Sequence, residues 1–239
     1  MKSQWLGGRA SLNISAFYMD IRDLQLTLTA GSCSSRLIFN VPKSVSQGAE
    51  IELAASPNES FDFSVSATFT KSELRSTLTS TSSGGQVNVV SGIREGNRLP
   101  SVPKVQGAAS ATWRWPFRAG ANGFLTGTYQ HVGSRYTQID DLVPTIGVVP
   151  LQGPGALPNT IGGPLTQSTF RFDPLLPAYN LFNLRLGLTR PNWEAAFFVN
   201  NVTDERAFLA LDRERGLLAR VGYLTNQPRT FGLTLTFNY

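Results

Sequence analysis

Cysteine, histidine and charge are all scarce in this chain of 239 residues. A single cysteine, Cys33, rules out an intrachain disulfide and a cysteine-based zinc site, and reads as an ordinary loop thiol. Only 15% of residues are charged, against the roughly 25% of an average soluble protein. Yet no run of 18 or more apolar residues compensates, so no transmembrane helix is encoded. The net charge of +5 comes from Lys and Arg scattered along the chain rather than gathered beside aromatics, which argues against a nucleic-acid partner. Residues 1–30 lack the basic start, apolar core and cleavage site of a secretory signal. Little charge without greasy runs is the composition of strands with one apolar and one polar face.

The alternation itself is easy to find. At the C-terminal end, Phe231, Leu233, Leu235, Phe237 and Tyr239 alternate with Thr230, Gly232, Thr234, Thr236 and Asn238, a strict period of two. Seven earlier segments repeat the pattern. In 9–18, Leu12, Ile14, Ala16 and Tyr18 oppose Ser11, Asn13, Ser15 and Phe17, and the run continues through Leu28. In 48–55, Ala49, Ile51, Leu53 and Ala55 oppose Glu50 and Glu52, and 61–70 sets Phe61, Phe63, Val65, Ala67 and Phe69 against polar neighbours. Segments 105–115, 123–131, 180–188 and 193–200 follow, with Phe124 blurring the pattern in the second of these and Phe198 falling among polar residues in the last.

Two regularities point to a membrane barrel. Connections at 57–60, 116–121 and 190–192 are short, whereas those near 29–47, 71–104, 132–179 and 201–228 are long. Such alternation matches short turns on one rim of an outer-membrane barrel and long loops on the other. The aromatics Trp5, Phe61, Trp115, Trp193 and Tyr239 all fall at short-turn ends, where a membrane–water interface would hold them. Within the spans, every charge (Glu50, Glu52, Asp62, Arg114, Arg185, Glu194) lies on the polar face. The reading is an all-β fold, an antiparallel transmembrane β-barrel portion of about eight strands. A self-contained eight-stranded barrel with a structural or adhesive role, a barrel enzyme and a secreted β-sandwich stay open as alternatives.

Candidate chemistry is sparse. The lone His131 has Ser134 and the Asp140-Asp141 pair nearby, but no nucleophile motif surrounds the serine, so no catalytic residue is assigned. Asp140 and Asp141 offer two side chains where calcium needs six or more oxygens, and read as a solvated loop pair. No metal or cofactor site is expected. The six wall charges read as groups that solvate a lumen and hold strand faces in register. Asn200, Asn201, Val202, Thr203 and Asp204 read as a loop exit organised by local side-chain bonds. The Gly- and Pro-rich stretch 147–164 reads as a flexible loop, and the charged patch 212–218 (DRERGLL) as an exposed loop face or a contact for lipopolysaccharide or ligand.

Several stretches, in order, resemble TonB-dependent outer-membrane receptors: LNISAFYMDIRDLQ (12–25), SVSQGAEIELAASP (44–57), NRLPSVPKVQGAASATW (97–113), YNLFNLRLGLTRPNWEAAFFVNNVTDERAF (179–208) and QPRTFGLTLTFNY (227–239). The resemblance covers essentially all of residues 1–239 and implies the C-terminal part of a wide barrel of about 22 strands. It implies a Gram-negative outer-membrane location among lipid and lipopolysaccharide. It further implies import of a ferric siderophore or other bulky nutrient, driven by the TonB complex through a plug domain. Neither a plug, a signal peptide nor a TonB-contacting motif has a counterpart here, so a fragment of a receptor is expected, with residues 9–18 as an unpaired edge.

Overall fold

The structure, a computed structural model, describes residues 1–30, 35–143, 146–150, 169–212 and 221–237. Each alternating segment of the sequence forms a strand, and neighbouring strands pair in the register that their faces demand. Fifteen strands are described. Nine build one sheet: β1 (Lys2–Trp5), β2 (Ala10–Ala30), β3 (Ser35–Asn58), β4 (Phe61–Leu74), β7 (Val105–Pro116), β8 (Asn122–Val132), β11 (Tyr179–Arg190), β12 (Trp193–Asn200) and β15 (Thr230–Phe237). They are paired in that order, all antiparallel. The remaining six form hairpins inside the long connections: β5 (Thr79–Thr81) with β6 (Val87–Val89), β9 (Val148–Pro150) with β10 (Thr169–Arg171), and β13 (Phe208–Asp212) with β14 (Gly222–Thr225).

Register sorts the two faces cleanly. One row of directly opposed residues reads Leu12, Leu53, Val65, Ala109, Tyr129 and Phe182 across six strands. The row beside it, on the other face, reads Ser11, Ala54, Ser64, Ser110, Thr128 and Asn183. A slip of one residue anywhere would put serines and asparagines among the leucines, so the whole sheet is locked to one alignment. No second sheet covers the apolar face among the described residues: Leu233 is 78% exposed, Phe231 71% and Leu235 67%. That rules out a β-sandwich, whose apolar faces meet each other.

The sheet departs from the sequence reading in three places. A ninth strand, β1, pairs with Ala10, Ser11, Leu12 and Asn13, so that part of 9–18 is not the free edge that the sequence suggests. Four residues give too short a pattern for periodicity to register. Next, β2 and β3 run on together well past the apolar spans, pairing as far as Ala30 with Ser35, so most of the expected loop at 29–47 is a long hairpin. Finally, the long connections are not bare loops. Besides their hairpins they share the one buried cluster described, Leu26, Val41, Leu74, Ile93 and Ile139, with Leu24, Phe39, Leu78, Val90, Leu99 and Leu142 around it. The hydrophobic core of this molecule sits at the long-loop rim, above the wall and not behind it.

Short turns close the opposite rim. Glu59 and Ser60 join β3 to β4, with the Asn58 side chain accepting the Ser60 N–H at 2.9 Å. Pro191 and Asn192 join β11 to β12. Between β7 and β8, Ala119 and Gly120 take left-handed backbone conformations (φ 58° and 72°).

Three phenylalanines on the polar face have a structural explanation. Phe17, Phe124 and Phe198 stand directly opposite Gly48, Gly187 and Gly232 on the adjacent strands. Each ring lies over its glycine, where a side chain would stand: a Cβ on Gly187 would fall 2.6 Å from Phe124 Cζ, and one on Gly232 2.8 Å from Phe198 Cζ. The aromatic ring shields the bare backbone that glycine exposes. We expect Gly187→Ala, whose Cβ would also meet the Ala195 carbonyl oxygen at 2.6 Å, to lower the urea midpoint of the detergent-refolded chain by the equivalent of about 1–3 kcal/mol. The matched control Gly84→Ala, with nothing within 4 Å, should leave it unchanged.

Candidate functional site: the polar wall and the loop cluster

The polar face carries the wall charges, as two ion pairs and two hydrogen-bonded carboxylates. Arg114 pairs with Asp62 across β7 and β4. Arg185 pairs with Glu194 at 2.5 Å across β11 and β12, and its guanidinium sits 5.9 Å from the Phe124 ring centre. Glu50 accepts from the Ser15 hydroxyl at 3.3 Å, and Glu52 from the Asn13 amide at 3.4 Å. All four partners come from neighbouring strands, so these charges pin local register and do not form one network. Being solvent-accessible, each pair contributes at most about 1 kcal/mol. A groove of about 480 Å³ runs between them, lined by Asn13, Glu52, Ser64, Ser66, Ser110, Gln130 and Asn183. Small hydroxyls and amides with few fixed charges make a surface that another polar protein surface or a hydrated solute can slide over.

On the apolar face, a second groove of about 610 Å³ lies back to back with the first. Ala109, Ala111 and Gly127 floor it, with Phe63 and Val65 on one side and Tyr129, Phe182 and Leu184 on the other. At its long-loop end the Asn180 side-chain oxygen accepts from the Tyr129 hydroxyl at 2.7 Å and lies 2.8 Å from His131 Nδ1. His131 therefore belongs to a rim cluster on the apolar face. Ser134 is engaged through its carbonyl oxygen, which accepts from Arg98 at 2.8 Å. The structure does not bring His131, Ser134 and an acid together as a triad.

The loop rim is held by buried polar anchors. Asp141 is not the solvated residue expected from the sequence: it is 2% exposed, and its carboxylate accepts the N–H groups of Thr137 and Gln138 at 2.9 and 2.8 Å. It caps the short 3-10 turn Ile139–Leu142, and burial is sustained because those N–H groups replace water. The Gln-x-x-Asp spacing at 138–141 was the available signal. Arg135, 9% exposed, donates to the carbonyl of Leu209 at 2.8 Å and lies 5.5 Å from the Tyr179 ring centre, tying the start of one loop to the hairpin of another. Nothing in the sequence around Arg135 announces this. Tyr223 donates to the Asp173 carbonyl at 2.7 Å; burial first, then the charges of Asp173 and Asp141, push its hydroxyl pKa up.

The asparagine run after β12 does organise the loop exit. Asn201, in the left-handed region at φ 52° and 5% exposed, donates to the carbonyls of Glu205 and Gln227 at 2.9 and 3.0 Å. Its side-chain oxygen accepts the Glu205 N–H at 2.8 Å, and its own N–H donates to Asn183. Asp204 accepts the Arg229 N–H at 2.9 Å, which closes the loop onto the start of β15. Cys33, Tyr239 and residues 151–164 and 213–218 lie outside the described residues.

That Arg229 N–H is the main reason the Asp204 carboxyl is held below the ordinary carboxylate range, with the charges of Arg206 and Arg229 adding to it against some desolvation. A folded-state pKa below the unfolded one means the contact stabilises fully above the ordinary value and is lost as pH falls through the lowered one. We expect the Arg229 amide to exchange slowly at neutral pH and to lose protection only below the ordinary carboxylate pKa. In Asp204→Ala that protection should be gone at every pH, while Asp204→Asn should keep it without the acid transition.

With this geometry in hand, the relatives can be weighed. No curated protein sequence matches the chain. Among solved structures, the siderophore receptor PiuA from Acinetobacter baumannii is similar over 100% of this chain and 27% of its own, with 18% identity and a TM-score of 0.62. The ferric yersiniabactin uptake receptor FyuA from Yersinia pestis is similar over 100% and 28%, with 16% identity and a TM-score of 0.66. The copper transporter OprC is similar over 99% and 30%, with 13% identity and a TM-score of 0.60. The chain thus spans less than a third of each of these proteins, and at such identities the likeness establishes the fold. The profile of the family "TonB dependent receptor-like, beta-barrel" matches residues 1–202. That match assigns the chain to the TonB-dependent receptor β-barrel family, one of transport receptors in Gram-negative outer membranes.

Proposed function

We propose that residues 1–239 form the C-terminal part of the barrel wall of an outer-membrane active transporter. Its cargo is a ferric siderophore or a similarly bulky nutrient. The intact transporter draws energy from the TonB complex through a plug domain seated against the polar face. The observation that carries this reading is the sheet's two-sidedness: an uncovered apolar face on one side, and hydroxyls, amides and paired charges on the other. Hydrocarbon is the solvent that suits the first face, and a water-filled lumen the second. Siderophore receptors and a metal transporter among the similar structures support the cargo class.

The strand count weighs against a self-contained small barrel. Nine antiparallel strands leave edges β1 and β15 running in the same direction, and no pairing joins them among the described residues. An all-antiparallel closure needs further wall between them. Trp113 and Trp115, with ring centres 4.9 Å apart, and Trp193, paired with Phe237, gather at the short-turn rim and support reading it as the periplasmic interface.

Two neighbouring positions test the assignment of faces. In lipid, Leu233→Arg, at mid-span, should cost about 2–4 kcal/mol in a urea titration of the vesicle-inserted chain, whereas Thr234→Arg, one residue away on the polar face, should cost far less. Equal costs would place both faces in the same environment and end the membrane reading. Transport is tested in an intact receptor carrying this wall: ferric-siderophore uptake should depend on the cell's TonB complex.

A further inference from the structure

The polar face is not furnished evenly across the sheet. On β4, β7 and β8 three successive rows read Ser64, Ser110, Thr128; then Ser66, Ala108, Gln130; then Thr68, Gln106, Val132. Side chains this small leave a furrow between Glu52 on β3 and Asn183 on β11. One part of it is the groove of about 480 Å³ described above; a further 190 Å³ adjoins it, sharing Ser66, Ala108 and Gln130. The rows span roughly 13 Å along the strands and about 10 Å across them, and they lead toward the long-loop rim.

What the furrow offers is unspent hydrogen bonding with little charge. Around it, polar groups satisfy one another: Thr112 with Thr126 at 3.0 Å, Asn183 with Thr128 at 3.0 Å, Asn13 with Glu52 at 3.4 Å. Within it, the side chains of Ser64, Ser66, Thr68, Gln106, Ser110 and Gln130 make no hydrogen bond among the described residues. Each glutamine amide by itself holds two donors and an acceptor. Glu52, on one bank, is the one acidic side chain in the lining, and no Lys or Arg lines it. Lys104, the nearest cation along these strands on this face, lies a row further on, where its carbonyl accepts the Thr70 N–H at 2.9 Å. No ring rises into the furrow either. Tyr129 and His131 pass beneath it and turn their rings to the apolar face, where both meet Asn180.

An anionic cargo would find no cation there to replace its water, and would face the Glu52 carboxylate. An aromatic cargo would find no ring to stack on. A neutral molecule covered in amides and hydroxyls would exchange its water for Gln and Ser partners one at a time as it moves. We propose that this furrow is the stretch of wall along which cargo passes, and that the cargo is a neutral chelate with an amide- and hydroxyl-bearing surface, of the hydroxamate class and not the catecholate class. This rests on the reading of the polar face as the lumen wall of a transporter.

The test is side-chain amide NMR of the full chain in neutral detergent micelles, with two iron chelates as probes: a neutral cyclic-peptide trihydroxamate and an anionic triscatecholate. Ferric iron broadens nearby signals, and the gallium form of each chelate supplies the reference. The trihydroxamate should broaden the Gln106 and Gln130 amides and spare Asn180 on the apolar face; the triscatecholate should broaden them several-fold less. The double variant Gln106→Leu, Gln130→Leu should bind the trihydroxamate roughly ten-fold more weakly, read at the Asn183 amide. Gln106→Lys with Gln130→Lys should reverse the order of the two probes, and an otherwise unchanged backbone spectrum shows that the sheet is intact. Equal broadening by both chelates, stronger broadening by the triscatecholate, none by either, or wild-type affinity in the leucine variant would each overturn the proposal. Quenching of tryptophan by brominated lipid is measured alongside. Lost quenching in the wild-type chain indicts the assignment of the faces, whereas intact quenching with any of those outcomes indicts only the furrow.

Discussion

Main-chain hydrogen bonding in a solvent that offers none is the constraint on which this structure depends. A strand exposed to hydrocarbon on one face must satisfy every N–H and C=O through its neighbours, because no water is present to substitute. From that requirement come the long unbroken ladders between β2, β3 and β4 and the matched lengths of β7, β8 and β11. The strict alternation follows as well, since each residue then has only a lipid side or a lumen side to occupy. The wall is stabilised by ladder and register, and the one buried apolar cluster is displaced to the loops, where water is present to drive it together.

Division of labour between the two ends follows from the same constraint. Short turns close one rim. At the other, hairpins, the capped turn at Ile139–Leu142, the Asn201 knot and the Arg135 bridge build a folded superstructure from what periodicity alone would leave as loops. Such a superstructure presents side chains to the outside while its own backbone polar groups are satisfied internally.

The aromatic–glycine pairs show how the polar face tolerates phenylalanine. Phe17, Phe124 and Phe198 interrupt the polar pattern of their own strands, and read alone each looks like a lapse in alternation. The register places each beside a glycine, so that ring and bare backbone complete one another. Gly127, by contrast, has no such ring and opens the floor of the groove on the apolar face.

The faces of most residues in the spans, and which rim carries the short turns, were legible from the chain alone, because a period of two in hydrophobicity survives any arrangement of neighbours; the family was legible separately, as a resemblance carried by several stretches in order. The placement of Glu50, Glu52, Asp62, Arg114, Arg185 and Glu194 on one side was legible for the same reason. Which residues on different strands touch was not. The ion pairs of Arg114 with Asp62 and Arg185 with Glu194, the ring over Gly187 and the burial of Asp141 all depend on register and loop packing. Those are set by hydrogen bonds between segments far apart in the chain, and a linear pattern carries no record of them.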